Sequence, residues 1–91
     1  MMLRTWRKER KLTFEKATEA LGVGSQSSVY DWENGISLPN PETISQIEGA
    51  TDGLVTFFDH FTAWCLAHKG LRRERLAAGR RAAKEWEDAH G

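Results

Sequence analysis

Gln26, Ser27, Tyr30 and Asp31 are spaced so that, on a helix, they share one side. An amide, an alcohol, a phenol and a carboxylate on one surface can donate and accept hydrogen bonds in several directions. Val29 and Trp32, three residues apart, take the opposite side and belong to a core. Ser25 supplies a helix start signal and Gly35 a stop signal, so the segment between them reads as a short helix over 26–34. Its outer face is polar and its inner face apolar.

The elements that must position this helix stand just before it. Thr13 is a good N-cap, Glu15 suits the first turn, and Phe14, Ala17, Thr18 and Leu21 form an inner stripe. Gly22-Val23-Gly24 is the turn between the two helices. Helix, short glycine turn, and a second helix with a polar outer face is the helix-turn-helix pattern, whose second helix enters the DNA major groove.

Size and charge set the bounds. The chain has 91 residues, of which 40% are apolar, enough for one small domain whose core a dimer partner would help. Cys65 is the single cysteine, so no disulfide forms within the chain and a reducing cytoplasm suits it. No apolar segment follows the basic N-terminus, and no long apolar run exists, so neither a signal peptide nor a membrane span is expected. Net charge is zero, but it is unevenly spread: +4 over residues 1–11, −7 over 12–61 and +3 over 62–91. The basic ends, with Arg4, Lys8 and Lys11 in the first, are candidate phosphate contacts; the alternative is a solvated helix face.

The other helices follow from the same signals. A first helix covers residues 2–10, with Leu3, Trp6 and Arg10 on one side, and Leu12 continues the core. Ile36 and Leu38 are expected to cover that core from a loop. Asn40-Pro41-Glu42 starts a fourth helix, with Ile44, Ile47 and Ala50 turned inward until Asp52-Gly53. Thr56-Phe-Phe-Asp59 resembles a capping box and opens a fifth, on which Phe57, Phe58, Phe61, Trp64 and Cys65 form one apolar face. That face reads as core, with any exposed part as a dimer seam. After Gly70, residues 71–88 form a sixth helix with a thin stripe of Leu71, Ala78, Ala82 and Trp86, weakened by Gly79.

Several pieces together resemble the lambda-repressor-like (Cro and Xre type) helix-turn-helix family: Leu3-Arg-x-x-Arg7, Leu12-Thr13, Ala20-Leu-Gly-Val23, Ser28-Val29, Trp32-Glu-Asn-Gly35 and Pro39-x-Pro-Glu42. The resemblance runs from Leu3 to about Phe61. It implies an all-α fold with a compact five-helix helix-turn-helix domain, placed over 1–68; beyond the resemblance, residues 69–91 read as a basic C-terminal helix or tail. It also implies a dimer on double-stranded DNA, regulating transcription, usually by repression, in the bacterial cytoplasm and nucleoid. By the same resemblance Gln26, Ser27, Tyr30 and Asp31 face base edges. Gln26 suits adenine and Asp31 suits cytosine N4. Ser25, Ser28 and Asn34 join Arg4, Lys8 and Lys11 on phosphates, and Arg7 pairs with Glu33 to tie helix one to helix three.

Two departures from the family pattern matter. Phe14 stands where a phosphate-touching Gln is frequent, so that contact is lost and Phe14 packs. The turn before Val29 is one residue longer than usual, and a shifted register would pass the role of Gln26 to Ser27 or Ser28.

Other chemistry is poorly supported. Cys65 and His68 share a helix face, but structural zinc usually takes four ligands and no second pair is present. No phosphate-cradling glycine loop or oxyanion feature accompanies Cys65, so neither a metal, a cofactor nor an enzyme is expected. The resulting reading is a small phage-type or mobile-element repressor on a two-fold operator. Two other classes stay open: an antitoxin whose residues after 70 wrap a toxin partner, and a protein-interaction adaptor without DNA affinity. The basic tail itself extends the dimer, drapes on DNA phosphates, or is a solvated helix.

Overall fold

The computed structural model describes all 91 residues. Six helices and no strand make up the chain: α1 Leu3–Glu9, α2 Phe14–Leu21, α3 Gln26–Glu33, α4 Pro41–Ala50, α5 Phe57–Ala67 and α6 Lys69–His90. The fold is all-α, with a five-helix body and a sixth, C-terminal helix.

Local signals explain most of the boundaries. The Thr13 side chain accepts from the Lys16 amide at 3.1 Å, and Asn40 does the same for Thr43 at 2.8 Å, with Pro41 in the first turn of α4. Each cap satisfies one of the amides that a helix start leaves free. Gly22, at φ +69°, ends α2 in the left-handed region that glycine enters without steric cost. The Thr56–Asp59 capping box is formed, with the Thr56 amide donating to Asp59 Oδ2 at 2.8 Å.

The core consists of Leu3, Trp6, Ala17, Leu21, Val29, Ile47 and Val55, with Leu12, Phe14, Val23 and Trp32 packed at its edge. Thr51 is buried too. Its hydroxyl donates to the Ile47 carbonyl at 2.8 Å and accepts from the Val55 amide at 3.1 Å, which closes the turn after α4.

Three sequence expectations fail here. Ile36 and Leu38 are 57% and 38% exposed, and the residue of that loop that closes on the core is Pro39. Ala50 is exposed and Ile44 half-buried, so α4 turns Ile47 inward. The aromatic face of α5 points outward. Phe57, Phe58 and Phe61 are exposed, Trp64 and Cys65 are half-buried, and the inward residues are His60 and Ala63.

Gly35 supplies the reason for the third reversal. It sits at φ +68°, and a Cβ there would collide with the Ala63 carbonyl of α5. Two backbones this close admit only small side chains between them, so α5 turns Ala63 and Ala67 toward Gly35. The large rings are left on the other side.

α6 makes residue contacts with α5 and buries none of its residues. The chain measures 56 × 22 × 21 Å, with a radius of gyration of 17.3 Å. A compact domain of this length would have a radius of about 12 Å. The excess comes from α6, which projects from the body.

Candidate nucleic-acid interface

α3 is held from both ends and from beneath. At its start, Ser25 Oγ accepts from the Ser28 amide at 3.2 Å, and the two hydroxyls lie 3.0 Å apart. At its end, Asn34 Nδ2 donates to the Tyr30 carbonyl at 2.9 Å. Beneath it Val29 is fully buried and Trp32 packs at the core edge. The four-residue link from Gly22 to Ser25 falls within the length that joins such helix pairs. Gln46 of α4 fixes that link by donating to the carbonyls of Leu21 at 2.9 Å and Gly22 at 2.7 Å. These carbonyls would otherwise be left open where α2 ends. No sequence signal marks Gln46, since a polar residue next to the buried Ile47 looks like ordinary surface.

Arg7 and Glu33 lock α1 to the end of α3. Arg7 Nε donates to Glu33 Oε2 at 2.6 Å and Nη2 to Oε1 at 3.1 Å, a two-point clamp. Arg7 Nη1 also reaches the Leu12 carbonyl at 3.0 Å. The Glu33 side chain is fully buried, and that of Arg7 is 12% exposed. The hydrogen bond to Glu33 raises the Arg7 pKa; burial opposes this and the Glu33 charge adds to it. The guanidinium also lies over the Phe14 ring, 4.1 Å from its centre. The Phe14 ring in turn lies 5.8 Å from that of Tyr30.

Gln26, Ser27, Tyr30 and Asp31 come together. With Phe14 they line a shallow concavity of about 330 Å³ between α2 and α3. Gln26, Ser27 and Tyr30 are exposed and Asp31 is half-buried. None of the four side chains makes a hydrogen bond or ion pair within the protein. Their polar atoms are free to meet something outside. Phe14 lines this surface from α2, a part that its apolar character and its place in the α2 stripe do not reveal.

The residues expected on phosphates divide into two groups. Lys8 and Lys11 are exposed and unpaired, Lys11 on a left-handed turn at φ +56° that ends α1. Arg4, Ser25, Ser28 and Asn34 already have partners. Arg4 Nη2 donates to Asn34 Oδ1 at 2.7 Å, and its Nε lies 3.5 Å from Glu33 Oε1. Its guanidinium thus caps the buried carboxylate and stays half-exposed.

His60 belongs to the core. It is buried, its Nε2 has no hydrogen-bond partner, and burial pushes its pKa below the ordinary value while the Asp59 charge pulls the other way. Burial alone would raise the Asp59 pKa, but bonds from Thr56 and the Met1 ammonium outweigh it and hold the carboxyl lower. His68 Nδ1 lies 2.8 Å from the Trp64 carbonyl, and its ring stacks on that tryptophan. No three His, Cys, Asp or Glu side chains gather as a metal site, and no helix is long and apolar enough to cross a membrane.

α2 and α3, joined by a short turn and with free polar groups on the second of the pair, have the helix-turn-helix arrangement of DNA-binding domains. Residues 3–54 match the family model described as helix-turn-helix, so the chain belongs to the lambda-repressor-like, Cro/C1-type helix-turn-helix family. The match takes in α1 to α4 and leaves α5 and α6 outside it. Comparison with curated proteins and with solved structures gives no match.

Proposed function

We propose that the protein is a transcriptional repressor of phage or mobile-element type that binds a two-fold symmetric operator as a homodimer. The observation that carries the reading is the set of four unengaged polar side chains on α3. α3 lies in the major groove. Gln26 bridges N6 and N7 of an adenine, Asp31 accepts from cytosine N4, and Ser27 and Tyr30 meet neighbouring edges. Lys8 and Lys11 supply charge to phosphates. Arg4, Ser25, Ser28 and Asn34 bring hydrogen-bonding groups near both ends of α3, and the contacts they already make give those groups fixed positions. Occupancy of the operator blocks polymerase, and the protein works where the DNA is, in the bacterial nucleoid.

The dimer is supported by Leu54, Phe57, Phe58 and Phe61, which are 41%, 46%, 75% and 42% exposed on neighbouring turns. Monomers rarely leave so much apolar surface wet. Two copies with their α3 helices in successive major grooves span half-sites about 34 Å apart. Selection of bound sequences from a random DNA pool tests the reading. It should return an inverted repeat with half-sites one helical turn apart. Enrichment of nothing at low salt would sink the proposal and favour the adaptor reading.

A further inference from the structure

α6 is a helix without a partner. Its 22 residues extend about 33 Å, with none buried and none of its charged side chains paired within the chain. Helices owe most of their stability to packing of an apolar face. α6 has such a face. Leu71, Leu76, Ala78, Ala82, Ala83 and Trp86 fall on one half of it, and Leu71, Leu76 and Trp86 are 47%, 43% and 62% exposed.

Its charges are also arranged against its own dipole. Lys69 to Arg81 carry six basic and one acidic side chain, whereas Ala82 to Gly91 carry Lys84 against Glu85, Glu87 and Asp88. A helix favours anions near its N-terminus and cations near its C-terminus; the first turn of α6 instead carries Lys69 and Arg72, and its last turn Glu87 and Asp88 beside His90. A second copy laid antiparallel corrects this at both ends. The acidic end of one helix then lies beside the basic start of the other, and the apolar faces cover each other. A parallel copy would set basic against basic.

We infer that α6 pairs antiparallel with α6 of a second copy of this chain, about a two-fold axis near Gly79 to Ala82. The inference rests on the dimer reading and adds α6 to the seam that the exposed α5 rings suggest. Small residues at the crossing let the axes approach. Toward each end Trp86 covers Leu76 and Arg75 of the other copy, and Arg72 and Arg75 face Glu87 and Glu85, which flank the seam. The pairing is isologous, so each contact occurs twice.

Cysteine cross-linking of the full chain in a Cys65→Ser background tests the arrangement, alongside sedimentation. Ala82→Cys, beside the axis, should link to itself. Leu71→Cys and His90→Cys should each fail to self-link and should link to each other when mixed. Changing Glu85, Glu87 and Asp88 to Lys should raise the dimer dissociation constant by about tenfold or more. Helix content by circular dichroism should hold or rise, because the helix then suits its own dipole better. Ready self-linking of Leu71→Cys would mean a parallel pair and overturn the inference. A dimer in sedimentation with no α6 cross-link would overturn it while leaving the dimer intact, seated elsewhere, on the α5 rings for example. A chain that stays monomeric, alone and in a one-copy DNA complex, overturns both readings and leaves α6 to DNA phosphates or to a different protein.

Discussion

Glu33 is the side chain on which the placement of α3 depends most. It is fully buried, clamped by Arg7 and capped by Arg4. Removing it leaves the Arg7 guanidinium mostly buried without its partner, a change that costs about 3–5 kcal/mol. Glu42 is exposed and unpaired in the first turn of α4, so Glu42→Ala should cost no more than about 1 kcal/mol. Thermal melts of Glu33→Ala and Glu42→Ala check this, and equal midpoints would contradict the account. His60 makes a second prediction at this scale. Its pKa in the fold lies below the ordinary 6.5, so the unfolded chain binds a proton more readily. Its contribution to stability is therefore complete above about pH 6.5 and falls as pH drops from there through the folded-state value. Urea unfolding between pH 7 and pH 5 should show that decline, and His60→Leu should flatten it. An unchanged slope in the variant would remove His60 as the cause.

At the scale of helices, the legible parts of the sequence were those written locally. Thr13, Ser25 and Asn40 at the starts, Gly22 at an end and the Thr56–Asp59 box each act within a few residues, so chain order alone reveals them. The polar outer face of α3 was legible for the same reason. The face of α5 was not. Four large rings at helical spacing look like a core stripe, and nothing local says that Gly35 will bring another backbone against Ala63. The same limit hid Gln46, whose two carbonyl partners lie 24 and 25 residues earlier in the chain. Gly35→Ala tests the close approach directly. The positive φ and the collision with α5 should together cost at least about 2 kcal/mol in a denaturant melt. Gly49→Ala, with open space around it, should be neutral or slightly stabilising. If both variants melt alike, α3 and α5 do not meet there.

For the whole molecule, a net charge of zero conceals a division of labour. On the proposed reading, the exposed Lys8 of α1 and Lys11 just after it serve attraction to DNA, and the free polar groups of α3 serve choice of sequence. The two roles separate experimentally. Lys8→Ala should weaken binding to all sequences alike and reduce the slope of log affinity against log salt by about one unit. The central claim is that α3 reads the bases, and the most direct measurement is selection from a random DNA pool with the wild type and with Gln26→Ala, Ser27→Ala, Tyr30→Phe and Asp31→Ala. The account predicts a wild-type inverted repeat in which Gln26→Ala loses preference at one position per half-site, worth about 1–3 kcal/mol. A change with Ser27→Ala but not Gln26→Ala would shift the reading register by one residue and keep α3 as the reader. If all four variants select the wild-type motif unchanged, α3 is not the reading helix and the account is wrong.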